Sequence, residues 1–164
     1  MKRRIVIVFA IAVLSACSSS TDSSDAPESP AGPSPTPTEP QTLKGVRAFA
    51  KEAADRFGAQ DYAGSWDQWN KAGKAAIPRA EYVKYAETCD LGGAPLKVDD
   101  IRMEGDSRAV VRYEFAGFKQ ARTFIYEDGH WRTKVTNETL NLFKNGGKAK
   151  GAIAAAKADG SCTG

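Results

Sequence analysis

The spacing of apolar residues changes at residues 90–95, "DLGGAP". Before this break, apolar side chains recur every three or four residues, a spacing typical of helices that pack through one face. After it, apolar and polar side chains alternate, as in strands with one buried face. Helices followed by consecutive strands favour the α+β class, with N-terminal helices packed on an antiparallel sheet.

Three helices are predicted before the break. The first spans "TLKGVRAFAKEAADRFGAQ", stops at Gly58 and has five apolar residues on one stripe: Val46, Phe49, Ala50, Ala53 and Phe57. The second has Asp61 as its N-cap and groups three aromatic residues on one face: Tyr62, Trp66 and Trp69. The third has Pro78 near its first position and aligns Tyr82, Val83, Ala86 and Cys89.

An antiparallel meander is predicted after the break. Its first strand is "PLKVDDIRM", in which Asp99 and Asp100 interrupt the alternation as a β-bulge or a bend would. The next strand has two faces, one with Ala109, Val111, Tyr113 and Phe115 and the other with Val110, Arg112 and Glu114. Asp128–Gly129 indicates the turn of a final hairpin. The Ala/Lys-rich residues 148–160 fit either a marginal helix or a frayed tail.

The first residues, "MKRRIVIVFAIAVLSAC", have the features of a secretory signal peptide. Three basic residues precede the apolar residues 5–14, and small residues follow them. Ten apolar residues cover about 15 Å as a helix, against roughly 30 Å of membrane hydrocarbon, which is too short for a stable transmembrane span. We expect residues 1–16 to be removed on export.

The sequence "LSAC" at residues 14–17 resembles the lipobox of bacterial lipoproteins. The resemblance implies transfer of diacylglycerol to the Cys17 thiol, cleavage after Ala16 and anchoring on the extracytoplasmic face of the cell membrane by acyl chains such as palmitate. Two or three acyl chains hold a protein on a membrane, whereas one holds it reversibly. The full chain has a net charge of +3, and loss of the three basic residues at its start leaves 0. The charge therefore gives no reason to expect a nucleic-acid partner.

Residues 18–42 have the composition of a spacer. Seventeen of these 25 residues are Ser, Thr or Pro, four are acidic and none is basic. Such a segment cannot bury enough apolar surface to offset its ordering entropy, so we expect residues 17–42 to form a disordered tether. A second interpretation, for "PSPTPTEP", is a proline-rich ligand of a recognition domain. Residues 43–164 are then predicted to form one domain.

The order of elements over about residues 43–135 resembles the nuclear transport factor 2-like superfamily, a cone of helices on a strongly curved sheet. The resemblance rests on "FGAQDYAGSWDQW", "RAEYVKY" and "RYEF" with "FIYEDGHWR". Exported actinobacterial lipoproteins are similar in combining such a domain with a Ser/Pro/Thr tether. Enzymes of the superfamily use carboxylates, tyrosines or histidines inside the cone, which implies as candidates Tyr62, Tyr82, Asp99 and Glu114. None of these lies in a recognisable catalytic motif, and the glycine-rich C-terminal segment departs from the superfamily's pattern.

Lipidation of Cys17 leaves Cys89 and Cys162 as an even pair in an oxidising compartment. A disulfide between them would close a loop of 73 residues, worth about 4 kcal/mol in the chain-entropy model. It would also fasten the C-terminal segment to the third helix. The alternatives, a metal site or a cysteine nucleophile, both depend on His130, which we expect to be an exposed turn residue.

These patterns predict a membrane-anchored lipoprotein domain that binds an unidentified protein or small ligand and is not an enzyme. The candidate site is a pocket lined by Tyr62 and Trp66, with Arg112 or Arg122 as a polar contact. We expect no catalytic residue, metal or cofactor. The alternatives are an isomerase- or hydrolase-like enzyme, which would show two convergent ionisable groups in a deep cavity, and a surface protein without a pocket. In the last case aromatic side chains would fill the interior: Trp66, Phe115 and Phe124.

Overall fold

The structure, a computed structural model, describes residues 38–115, 117–144 and 147–162. In chain order its elements are α1 (Leu43–Gly58), α2 (Tyr62–Asp67), α3 (Lys71–Ala76), α4 (Arg79–Thr88), β1 (Lys97–Met103), β2 (Arg108–Phe115), β3 (Phe118–Glu127), β4 (His130–Thr133), α5 (Asn137–Leu142) and α6 (Ala149–Ala158). The predicted α+β class is confirmed: four helices precede a curved antiparallel sheet. The proposed signal peptide, Cys17 and residues 18–37 of the proposed tether lie outside the described residues.

Helices form over the segments predicted from their capping residues and apolar faces. Helix α1 starts after Thr42, whose Oγ1 accepts a hydrogen bond from the Gly45 amide at 3.2 Å, and it ends at Gly58 as expected. Helix α2 starts after the predicted cap Asp61, whose Oδ1 accepts from the Gly64 amide at 2.8 Å. Each side-chain cap satisfies an amide that the first helical turn leaves without a partner.

Two further helices, α3 and α5, were not predicted. Each has six residues, as α2 does, but neither has the aromatic face that marks α2 in the sequence. Asn70 and Thr136 cap them through their side chains. Residues 149–158 form α6, so the C-terminal segment is a helix, with Ala149, Ala152 and Ala156 buried.

The sheet is an antiparallel meander in the order β1-β2-β3-β4. The register between β1 and β2 shifts between Val98 and Asp100, which confirms the predicted bulge at the aspartate pair. Asp128 and Gly129 connect β3 to β4 with φ angles of 51° and 81°. Two consecutive residues in the left-handed region are what a tight type I′ hairpin turn requires.

Buried side chains form two clusters. In the first, helix α1 lies on the inner face of the sheet and the members are Val46, Phe49, Ala50, Ala54, Ala109, Val111, Tyr113, Phe124 and Trp131. The second cluster lies among the helices α2, α4 and α6. Its members include Tyr62, Trp69, Ile77, Tyr82, Tyr85, Ala86 and Phe143. Three residues of the predicted stripe of α1 (Val46, Phe49 and Ala50) belong to the first cluster, and so do three of the four on one predicted face of β2 (Ala109, Val111 and Tyr113).

The predicted disulfide is present. Cys89 follows α4, Cys162 follows α6, and their sulfurs lie 2.03 Å apart with 4.6 Å between the Cα atoms. Helix α4 is the third helix of the sequence analysis, so the C-terminal segment returns to it as expected. The Ala149 amide also donates to Glu81 Oε2 at 2.7 Å, which fixes the start of α6 against α4.

The boundary expected between tether and domain at residue 42 is wrong. The Glu39 amide donates to the Gly129 carbonyl at 2.8 Å, and Glu39 Oε2 accepts from the Trp131 amide at 2.9 Å. Trp131 Nε1 donates to the Pro40 carbonyl at 3.2 Å. Residues 39 and 40 therefore belong to the folded domain, because hydrogen bonds to β4 and its turn offset their ordering entropy.

His130 also differs from expectation. It is the first residue of β4 and is half-buried, with Nδ1 3.1 Å from Glu39 Oε1. The segment that precedes α1 covers this residue, and the local sequence around "EDGHW" carries no sign of that contact.

No helix among the described residues is long and apolar enough to cross a membrane.

Candidate functional site

A cavity of about 330 Å³ lies between the helices and the inner face of the sheet. Its walls come from α1, α2, α4, β2, β3, β4, α5 and the segments after α2, α4 and β4. Members of both buried clusters line it, so the cavity lies where the two clusters meet. An apolar cavity of about 150 Å³ holds benzene. This one therefore has room for about two rings, within the range of small-molecule sites.

Aromatic side chains form much of the wall. Trp69 and Tyr82 contact each other, with ring centroids 4.4 Å apart and ring planes tilted by 55°, and both line the cavity together with Tyr85, Phe115 and Phe124. A surface protein without a pocket would have its interior filled by aromatic side chains. Phe115 and Phe124 line this cavity and leave it open, which favours the two interpretations that use a pocket.

Two buried polar atoms at the cavity lack hydrogen bonds. Among the described residues, the buried side-chain atoms without a partner are Ser65 Oγ and Gln68 Nε2, and both residues line the cavity. Gln68 is 7% exposed. Leaving a buried amide donor unpaired costs about 1–3 kcal/mol. Gln68 lines the cavity, but its unpaired Nε2 is itself buried and is not exposed to the cavity.

The charge of the cavity wall is positive. Arg122 on β3 pairs with Val111 on β2, and opposite residues of an antiparallel pair share a face. Because Val111 is fully buried under the helices, Arg122 lies on the inner face. Lys134, after β4, is the other cationic residue of the described lining, which contains no Asp or Glu. Among the ion pairs of the described residues, none includes Arg122 or Lys134.

The contacts of Arg122 are weak. Its Nη2 donates to Gln120 Oε1 at 3.3 Å. Its charge is also felt by the exposed Glu138 on α5, whose pKa is lowered first by its own backbone amide, next by Thr136 and then by Arg122. The guanidinium therefore retains donors that a bound molecule can use.

The phenols of the cavity wall are protonated at neutral pH. Burial raises the pKa of Tyr82 to about 12, although the charge of Arg122 acts in the opposite direction. Burial also raises the pKa of Tyr113 and of Tyr85. The Tyr113 hydroxyl already donates to the Ala50 carbonyl at 3.0 Å. The hydroxyls of Tyr82 and Tyr85 can therefore donate hydrogen bonds to a ligand, but none of the three phenols can act as a base near pH 7.

Alkaline pH should destabilise the fold through Tyr82. A tyrosine in the unfolded chain ionises at about pH 10, whereas the folded state holds the pKa of Tyr82 at about 12. Between these values the unfolded state releases a proton that the folded state keeps. The stabilisation is therefore complete below pH 10 and is lost as the pH rises to 12, by roughly 2–3 kcal/mol. In urea titrations from pH 9 to 12, Tyr82→Phe should show a shallower fall in the free energy of unfolding than the parent protein.

Tyr113→Phe provides the comparison for this experiment. Burial raises the pKa of Tyr113 as well, so its removal should flatten part of the same slope, and the double variant should flatten it further. Equal slopes for Tyr82→Phe and the parent protein would contradict a buried Tyr82 phenol.

Of the four residues predicted to bind a ligand, the cavity contains Arg122. The Tyr62 hydroxyl accepts from the Gly92 amide at 2.9 Å within the helical cluster. Trp66 Nε1 donates to the Ile77 carbonyl at 2.8 Å. Arg112 is exposed on the outer face of β2. These three residues do not contribute to the described lining.

The candidates implied by the superfamily's enzymes are also separated. Tyr82 lines the cavity. Asp99, on β1, forms an ion pair with Lys119, on β3, at 3.0 Å. Glu114 alternates with the inner residues of β2 and so lies on the outer face of the sheet. Of the four candidates, only Tyr82 belongs to the described lining of the cavity.

Sequence reasoning missed Ser65 and Gln68. Ser65 lies within "DYAGSWDQW" and Gln68 directly after α2, and the prediction for this segment used its cap and its aromatic face. Gln68 is a polar residue between Trp66 and Trp69, in a segment otherwise expected to be buried. That pattern is the signal that points to it.

The described residues contain no group of three or more His, Cys, Asp or Glu side chains arranged for a metal ion. The chain matches no family model and no curated protein, so its function has to be inferred from the chemistry of the cavity.

Proposed function

We propose that this protein is an exported bacterial lipoprotein, anchored by acyl chains on Cys17, whose domain binds a small apolar ligand and catalyses no reaction. The observation that carries the proposal is the open cavity of about 330 Å³, whose wall is formed largely by aromatic and aliphatic side chains. A domain that used this interior for stability alone would gain by filling it, since tight packing stabilises a core.

The cone architecture of the nuclear transport factor 2-like superfamily is part of the proposal. Four helices followed by a curved antiparallel meander, with a cavity between helices and sheet, support it. Helices α5 and α6, which follow β4, are the departure. Helix α5 supplies Thr139 and Leu142 to the cavity wall, so the departure adds to the site.

Two features support an extracytoplasmic, membrane-anchored location. The lipobox-like "LSAC" follows a basic and an apolar segment. The disulfide between Cys89 and Cys162 is of a kind that persists in oxidising compartments and is rare in the cytosol.

Binding is preferred to catalysis because of what the cavity wall offers. General acid–base chemistry needs a group that exchanges protons near the working pH. The described lining holds no His, Cys, Asp or Glu, and burial keeps the Tyr82 phenol protonated. An isomerase- or hydrolase-like reaction would need a base that these residues do not supply.

A dye-binding experiment tests the proposal. Prodan, a neutral naphthalene dye whose emission shifts on leaving water, should bind the purified full-length protein in a saturable manner. Ala53, on α1, lines the cavity, and Ala53→Phe should fill part of it and abolish most of the shift. Ala48 is exposed on the same helix, so Ala48→Phe adds the same side chain at the surface and should leave binding unchanged.

Circular dichroism and thermal melting would show that both variants fold. Saturable binding that survives Ala53→Phe would place the dye elsewhere and contradict the cavity as the site. Absence of saturable binding to the parent protein would contradict the proposed function itself.

A further inference from the structure

We propose that the ligand of this cavity is a small organic anion, with an apolar body of about two rings and an acidic group that Arg122 binds. The proposal rests on the proposed ligand-binding function and names the chemical class that the cavity accepts.

The size of the cavity and the side chains of its walls indicate the size and shape of the ligand's apolar body. About 330 Å³ is roughly twice the volume of a cavity that holds one benzene ring. The rings of Trp69, Tyr82 and Phe124 form broad apolar walls. Flat apolar rings gain both buried area and favourable ring-to-ring geometry against such walls.

The charges of the cavity wall indicate the nature of the ligand's polar end. Arg122 is a partly buried cation on the inner face of the sheet, Lys134 is exposed at the cavity, and the described lining has no acidic side chain. The charge of Arg122 acts on both Tyr82 and Tyr113, which places the guanidinium within electrostatic reach of the aromatic wall. A guanidinium is a planar fork of donors that fits a carboxylate or a similar oxyanion.

Competition from the protein's own acids is slight. Glu138 is the carboxylate on which Arg122 acts, and it is exposed and already held by its own amide and by Thr136. The described lining contains no acidic side chain, so the wall offers an anion the donors of Arg122 without an opposing negative charge.

A matched pair of compounds tests the charge requirement. Naphthoate and naphthamide share the same two-ring body, but only naphthoate is negatively charged at pH 7. Calorimetry or prodan displacement with the full-length protein should show naphthoate binding at least about tenfold more tightly, as expected for charge-assisted hydrogen bonds. Arg122→Gln should remove this preference, whereas binding of naphthamide should change by less than about threefold.

The control uses an arginine on the other face of the same sheet. Arg112 is exposed on the outer face of β2, so Arg112→Gln removes the same charge away from the cavity and should keep the preference. Arg122→Lys keeps the positive charge but lacks the planar fork of donors, so it should keep part of the preference for naphthoate. It provides a second variant if Arg122→Gln folds poorly.

The outcomes separate the two proposals. Equal affinity for both compounds, with prodan still bound in the cavity, would overturn the anion inference and leave the proposed function standing. If Arg112→Gln also lost the preference for naphthoate, that preference would arise from the net charge of the protein. This result would overturn the inference as well. Failure of the parent protein to bind prodan, naphthoate and naphthamide would overturn the proposed function.

Discussion

Replacement of Cys162 by Ser should lower the free energy of unfolding by about 4 kcal/mol, as expected for a disulfide that closes a long loop. The two cysteines are 73 residues apart in sequence, so the bond removes much of the freedom of the unfolded chain. For a domain of this size the melting temperature should fall by about 10–20 °C. Differential scanning calorimetry of the variant and the oxidised parent protein measures both quantities.

The loss should be concentrated in α6. This helix buries alanines, namely Ala149, Ala152 and Ala156, and small side chains contribute little apolar area. Limited proteolysis after Phe143 should therefore increase in the Cys162→Ser variant, while the sheet stays protected. The Cys89→Ser/Cys162→Ser double variant is the control, since reductant should destabilise the parent protein and leave the double variant unaffected. Two freely alkylated thiols in protein exported by its host would contradict the bond.

Replacement of Cys17 by Ser should abolish membrane anchoring. If the lipobox-like sequence directs lipidation, the thiol at position 17 is the acceptor of the diacylglyceryl group, and a hydroxyl cannot replace it in that reaction. Without acyl chains the domain has no lasting hold on the membrane. Fractionation of cells should move the protein from the membrane fraction to the released fraction, or leave the chain unprocessed.

Ser18→Ala, one residue further on, is the matched control and should remain anchored. Mass spectrometry of the mature N-terminus would show an acylated Cys17 in the parent protein. A chain that still begins at Met1, unmodified and found in the cytosol, would refute the lipoprotein proposal.

The sequence predicted the elements whose apolar pattern runs for two or more turns or several strand residues. The stripe of α1 and the alternation of β2 were long enough to be read, and the turn at Asp128–Gly129 depends on local chemistry alone. Helix α2 is equally short but was marked by its cap Asp61 and three aromatic residues, whereas α3 and α5 have no comparable aromatic face and were missed. Their stability comes from caps and tertiary packing, which a single sequence does not display.

The candidate site was predicted only in part, for a reason that the two arginines show. Alternation along β2 already put Arg112 on the face opposite Val111, and the structure agrees. The inward position of Arg122 depends on the pairing of β3 with β2, a long-range register that spacing within one strand does not give. The fixed position of Glu39 is of the same kind, because its partners lie about 90 residues later in the chain.

The two edges of the sheet have a consequence for how copies of this protein behave when crowded together. An open strand edge offers unpaired amides and carbonyls to a neighbouring chain and so invites aggregation. At β4 those groups are engaged from within, since Thr133 exchanges hydrogen bonds with Gln68 and Asn70 and the Trp131 amide donates to Glu39. At β1 the bulge at the aspartate pair breaks the straight edge and places negative charge on it. Neither edge offers a long flat template, so we expect the domain to resist strand-to-strand association at high local concentration.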